Sequence, residues 1–229
     1  MERPAKTTSG SLPHSSQKKL RRSLRPTDAR EAWQVLKAGN QNFVAGTPAH
    51  PRQDAELRKS LAGQQSPFAA LFGCSDSRLS AEMIFDVGLG DLFVVRNAGQ
   101  VIAQTIIGSL EFSVEVLQVP LILVLGHDSC GAVRASLDAV EGNLSVEGEY
   151  IENLVERIVP TVNRSLARGE TEVDLITRDH IVDTIDELLE MSTLIRSRVE
   201  SGKLAVVGAQ YRLEEGQVEL IASRGQLES

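Results

Sequence analysis

Four short apolar runs set the strongest limit on what this chain can fold into. Phe68-Ala69-Ala70-Leu71-Phe72 stops at Gly73, Leu121-Ile122-Leu123-Val124-Leu125 at Gly126, and Leu204-Ala205-Val206-Val207 at Gly208. Leu92-Phe93-Val94-Val95 is the remaining run. Apolar runs of this length with no polar alternation read as strands buried on both faces, the condition of a parallel sheet. Between the second and third strands in chain order, residues from about Ala103 to Gln118 read as a helix that Pro120 forces to stop. Two longer helical stretches, 149–167 and 173–200, separate the third strand from the fourth. A β–α–β series of this kind implies right-handed crossovers and an α/β domain. The segment Gln217 to Ala222 follows Glu215-Gly216 and is expected to turn back as an antiparallel strand. The expected fold is therefore α/β: a mostly parallel four-stranded sheet flanked by helices, with an antiparallel fifth edge strand near the C-terminus.

The folded body is expected to begin near Thr27. Thr27-Asp28-Ala29-Arg30-Glu31 offers an N-cap followed by an acid in the first turn, and Ala29, Ala32, Trp33 and Leu36 recur at helical spacing. Trp33 reads as a packing anchor rather than a stacking platform for a ligand. Residues 1–26 carry seven basic residues and one acid, a charge of +6 within a chain whose net charge is −7, so the rest carries −13. That division predicts a disordered basic extension over 1–26 and a single domain over 27–229, with no internal repeat. An acidic body argues against nucleic acid or an anionic membrane surface as a partner. No apolar run is long enough to span a bilayer, and no apolar core marks the N-terminus as a secretory signal, so a cytoplasmic location is expected.

The chain has two cysteines and four histidines, and three of these six residues fall at strand ends. Gly73-Cys74-Ser75-Asp76-Ser77-Arg78 follows the first strand and Gly126-His127-Asp128-Ser129-Cys130-Gly131 follows the third. Ligands of open α/β sheets bind beyond the carboxyl ends of the strands, so the two loops can meet at one rim. His127 and Cys130 are spaced to chelate one ion on a tight turn. Thiolate and imidazole together select zinc over Mg²⁺ or Ca²⁺, and three protein ligands leave one tetrahedral position open for chemistry. Taken alone, His-x-x-Cys reads as a buried histidine and an inert thiol; the convergence of Cys74, His127 and Cys130 on one rim overturns that reading. Asp76 and Arg78 follow closely enough to reach the ion. They read as a fourth ligand or an orienter of zinc-bound water, with the guanidinium holding the carboxylate.

Cys-Ser-Asp-Ser-Arg at 74–78, Phe-Val-Val-Arg-Asn-Ala-Gly at 93–99 and Gly-His-Asp-Ser-Cys-Gly-Ala-Val at 126–133 together resemble the β-class carbonic anhydrases. The similarity runs from about residue 28 to 222. It is nearest to the actinobacterial, mycobacterial-type branch, in which Phe85-Asp86-Val87-Gly88-Leu89-Gly90-Asp91 also has a counterpart. The resemblance implies a lyase that reversibly hydrates CO₂ to bicarbonate by a zinc-bound hydroxide, with one Zn²⁺ per subunit on Cys74, His127 and Cys130. It implies Asp76–Arg78 as an orienting and gating dyad, with Asp76 itself completing the tetrahedron in a resting form. It also implies a homodimer or tetramer, for which the amphipathic segment 28–45 could supply a packing arm. Some members bind inhibitory bicarbonate through tryptophan, arginine and tyrosine; the matching positions here are Leu71, Arg96 and Tyr211, so two of the three are present. Gly88 stands where plant-type members have a glutamine. Ile84, Phe85 and Val87 are candidate walls for a CO₂ pocket, and His50 a candidate proton relay better read as an exposed bystander. The competing readings are a zinc hydrolase of CS₂ or COS, a regulatory zinc protein that binds bicarbonate without turnover, and a thiol oxidoreductase. The last would want Cys-x-x-Cys.

Overall fold

The computed structural model describes residues 25–143 and 147–227. The basic segment expected to be disordered lies outside the described residues except for Arg25 and Pro26, and Arg25 donates to the carbonyl of Gly90. Five strands form one sheet: β1 (Ala69–Cys74), β2 (Leu92–Asn97), β3 (Leu121–His127), β4 (Ala205–Tyr211) and β5 (Val218–Arg224), in the order β2-β1-β3-β4-β5. The first three pairings are parallel and β4–β5 is antiparallel, as the apolar runs and the Glu215-Gly216 turn predict.

Every residue of β1, β3 and β4 is buried, whereas β2 and β5 at the edges are half-exposed. Period-two alternation divides the buried residues between two clusters. Leu71, Leu121, Leu123, Leu125, Val207 and Ala209 face one side, where they meet α1 (Ala29–Val44), α5 (Gly131–Val140) and α6 (Glu149–Ala167). Phe72, Ile122, Val124 and Val206 face the other, where they meet α4 (Gln104–Glu115), α7 (Val173–Met191) and α8 (Thr193–Glu200). Two apolar faces are what an uninterrupted apolar strand requires. Gly126 and Gly208 let α7 lie close on that second face, because a Cβ at either would sit 2.6–2.7 Å from the Ile181 side chain.

Helix α1 starts at Asp28, whose carboxylate accepts from the Glu31 amide at 2.8 Å, and it buries Ala32, Trp33 and Leu36 against its own chain. The anchor role expected of Trp33 is what the packing shows. The stretch expected as one helix over 173–200 is two. Ser192 adopts an extended conformation and its hydroxyl caps α8 by accepting from the Ile195 amide at 3.1 Å, so the helical ladder breaks there. Two short helices, α2 (Ala55–Ser60) and α3 (Ala81–Ile84), lie in the loops before β1 and before β2. No helix among the described residues is long and apolar enough to cross a membrane.

Candidate metal centre

Parallel strands deliver their carboxyl ends to one rim, and β1 and β3 are neighbours there. Cys74 closes β1, His127 closes β3, and Cys130 is the N-cap residue of α5. Among the described residues one group of metal-capable side chains converges: Cys74, His127 and Cys130, all buried, with their ligand atoms within 4.8 Å of one another. The pairing of β1 with β3 thus brings together the three residues that the sequence singles out.

The donor chemistry fits a borderline-soft ion. His127 Nδ1 lies 2.8 Å from the carbonyl of Asp128, which can only accept, so that nitrogen carries the proton and Nε2 presents its lone pair. Nε2 is buried without a hydrogen-bond partner among the described residues. An orphaned buried nitrogen is costly unless something fills its lone pair. With two thiols facing it, the donor set fits a metal with affinity for sulfur and nitrogen, zinc among them.

Electrostatics prepare the sulfurs. The Cys74 thiol is lowered to about 4, first by the hydrogen bond from Cys130 and, against the opposing effect of burial, by His127 and the Gly99 amide. The Gly99 N–H stands 3.4 Å from Cys74 Sγ. Cys130 is pushed up by the hydrogen bond and charge of the Cys74 thiolate together with burial, while the amides of Ala132 and Val133 at the start of α5 act in the lowering direction. That direction favours a thiolate at Cys74, and an ion in place of the shared proton would favour a second at Cys130. Burial opposes charge on His127, yet the Cys74 thiolate outweighs it and moves that imidazole upward.

Asp76 and Arg78 sit beside this group. Asp76 Oδ1 accepts from the Arg78 amide and from Nε, each at 2.9 Å, and Oδ2 accepts from Nη2 at 2.7 Å. The fork holds the carboxyl well below its usual range. Oδ2 lies 3.9 Å from His127 Nε2. Arg96 braces the same loop from β2: Nε donates to the Cys74 carbonyl at 2.9 Å and Nη2 to the Asp76 carbonyl at 2.7 Å. Tyr211 is buried on β4, paired in register with His127, and burial raises its pKa. Leu71 is buried in the sheet. Ile84, Phe85 and Val87 are at most 1% exposed and belong to the same apolar cluster as Cys74 and Cys130. His50 is exposed, and its backbone amide donates to Asp86.

Sequence reasoning missed three contributors. Asp128 clamps the His127 loop to the β4–β5 turn by accepting from the Leu213 amide at 2.9 Å. Gly99 supplies the amide to Cys74, and its φ of 72° lies in the region that glycine favours. His180 supports Gly99 from α7, at 2.7 Å. A lone histidine on a long apolar-faced helix reads as packing, so only the topology could reveal its neighbour.

A parallel-sheet α/β fold with two cysteines and one histidine gathered at its carboxyl rim defines a class of protein whose rim could hold a metal ion. The comparisons make the family specific. A carbonic anhydrase family model matches residues 69–218. The chain is 48% identical over 189 residues to carbonic anhydrase 2 of Mycobacterium tuberculosis, covering 82% of this chain and 91% of that protein. It is 46% identical over 196 residues to a carbonic anhydrase of Mycolicibacterium smegmatis, covering 86% and 95%. Among solved structures, the β-carbonic anhydrase CcaA superposes with a TM-score of 0.65 at 26% identity, over 83% of this chain and 98% of that one. A β-carbonic anhydrase of Sordaria macrospora shares the fold with a TM-score of 0.67 at 23% identity, over 82% and 96%. The chain belongs to the β-class carbonic anhydrases, in the branch of the mycobacterial enzymes.

Proposed function

We propose that this carbonic anhydrase interconverts CO₂ and bicarbonate on one Zn²⁺ held by Cys74, His127 and Cys130, with Asp76 and Arg78 as its orienting and gating pair. The observation that carries the reading is the bare, buried Nε2 of His127 converging with two cysteine sulfurs. When bound, zinc supplies a Lewis acid that acidifies a water molecule, less strongly with two thiolates than in a three-histidine site, so activity rises on the alkaline side.

The chain's own residues do the rest. The Asp128 carbonyl fixes the His127 tautomer and aims Nε2 inward. Arg78 keeps Asp76 ionised, so Asp76 acts only as an acceptor; from its place near Nε2 it takes a hydrogen bond from the attacking water and turns a lone pair toward the carbon of CO₂. Arg96 holds the loop carbonyls so that Asp76 keeps this position. Gating follows from where the donors come from: two of Asp76's three bonds come from the Arg78 guanidinium, whose side chain is 53% exposed, so its release leaves the carboxylate on the Arg78 amide alone and free to turn toward the metal site. The product proton leaves to buffer.

Arg96 and Tyr211 as a bicarbonate-responsive pair is a second proposal, checked by whether Arg96→Ala changes inhibition by added bicarbonate. Assembly into a homodimer or tetramer is supported by the half-exposed edge strand β2 and by exposed Phe112 and Val116 beside it; the Sordaria relatives are described as tetrameric. A cytoplasmic location remains part of the proposal.

The test is zinc content measured with CO₂ hydration and CS₂ hydrolysis on one preparation. Cys74→Ala, His127→Ala and Cys130→Ala are expected to lose zinc and CO₂ hydration together. Stoichiometric zinc in any of the three would refute the ligand set, and turnover of CS₂ in place of CO₂ would refute the substrate.

A further inference from the structure

His180 is a buried, hydrogen-bonded histidine that the mechanism above leaves unused. It projects from α7 and is 5% exposed. Its Nε2 lies 2.7 Å from the carbonyl oxygen of Gly99. A carbonyl can only accept, so His180 carries its proton on Nε2, and burial keeps the ring neutral by pushing its pKa down. The residue it holds is the one that faces the metal centre: the Gly99 amide donates to Cys74 Sγ at 3.4 Å.

Gly99 is fixed from a second side as well. A Cβ there would sit 2.7 Å from Ala132 Cβ and 3.0 Å from Ile158 Cδ1, so the backbone is wedged against α5 and α6. Helix α5 is the one that Cys130 opens. With a φ of 72° the residue has conformational freedom as glycine, and neighbours must remove it. The His180 bond, made from α7, adds a restraint at the Gly99 carbonyl.

We propose that His180 is a positioning residue of the metal centre: through Gly99 it fixes the backbone donor on the Cys74 sulfur, and so sets how tightly zinc is retained and how strongly that thiolate donates. The proposal rests on the ligand assignment made above. Its physical basis is that an amide hydrogen bond draws electron density from a thiolate and holds its lone pairs at fixed angles. Without His180 the Gly99 carbonyl is left buried and unpaired, and the loop turns to satisfy it. Residues that support ligands from behind in this way typically change metal affinity by about 10–100-fold when removed.

The experiment uses full-length zinc protein, with cobalt(II)-substituted protein as a spectroscopic partner. His180→Phe keeps the ring volume and removes the donor. It is expected to release zinc to a chelator about tenfold faster, and to move the thiolate-to-cobalt charge-transfer band to longer wavelength. His180→Gln places an amide N–H where the imidazole donor was and is expected to restore both. Unchanged zinc release and an unshifted band in folded His180→Phe would overturn the proposal while leaving the ligand set intact. A wild-type chain that takes up no zinc would refute the ligand set itself. Should His180→Phe fail to fold, the wild-type protein decides. Loaded with an NMR-active cadmium isotope, it is expected to show coupling between the metal and the Gly99 amide proton, with His180 protonated on Nε2. Absence of that coupling, or a proton on Nδ1 instead, would overturn the proposal.

Discussion

Asp76 and Asp91 are both held by arginine forks, yet one sits beside the metal centre and the other in the scaffold. Asp91 is 3% exposed at its side chain and draws its donors from separate parts of the chain. Arg52 Nε donates at 2.7 Å, the Gly88 amide at 2.7 Å, and Arg25 stands 3.7 Å away. Asp76 is 17% exposed, and all its donors come from one residue two positions along. Donors from several segments tie those segments together and cannot let go singly. One rotamer change of the half-exposed Arg78 side chain removes two of the three donors to Asp76 and leaves only the Arg78 backbone amide. The same pair of residue types therefore makes a staple in one place and a movable acceptor in the other.

The comparison can be broken by substitution. Asp76→Asn should leave zinc content and thermal stability near wild type while slowing CO₂ hydration about 100-fold, the usual loss when a transition-state hydrogen bond is removed; stopped-flow kinetics with zinc assay checks this, and full activity would remove Asp76 from the mechanism. Asp91→Asn should do the reverse. It leaves the buried Gly88 amide facing a poorer acceptor, at a cost of about 1–3 kcal/mol in unfolding free energy, with activity per zinc retained. Denaturant melts measure it, and a variant as stable as wild type would contradict the staple. Arg52→Ala should cost no more than Asp91→Asn, because it takes two donors from a carboxylate only 3% exposed but leaves the Gly88 amide and Arg25 to hold it; the same melts measure it. The smallest effect concerns pH. Because Arg78 depresses Asp76, their pairing is fully present above the ordinary carboxylate value and is lost only as pH falls through the lowered one. Carbon NMR of the metal-free chain should therefore find Asp76 still ionised at about pH 3, where an ordinary carboxylate, with its pKa of about 4, is mostly protonated. Protonation of Asp76 at that pH would break the account of the fork.

Much of this was legible in the chain before any coordinates. The unbroken apolar runs at 68–72, 92–95, 121–125 and 204–207 could be satisfied only by a sheet covered on both sides, and the structure has that sheet with β5 antiparallel at its edge. Cys74, His127 and Cys130 were readable because parallel strands put their carboxyl ends on one rim, while the order that makes β1 and β3 neighbours there came only from the structure. What was hidden depended on contacts distant in sequence. The break at Ser192 is a capping choice by one hydroxyl within a stretch of otherwise helical periodicity. Arg96 could be placed near the site by resemblance, but only the β1–β2 register shows its guanidinium held by the carbonyls of Cys74 and Asp76. His180 and Gly99 are 81 positions apart, and no spacing rule links a helix on one face of the sheet to a turn beyond its edge strand.

The central claim is that one zinc on Cys74, His127 and Cys130, with Asp76 beside it, makes this chain hydrate CO₂. Its most direct test is a titration of metal-free protein with zinc, with stopped-flow CO₂ hydration read at each addition. Activity should rise in proportion to zinc and stop at one ion per chain. Activity in the metal-free protein, or one tightly bound zinc that brings none, would contradict it.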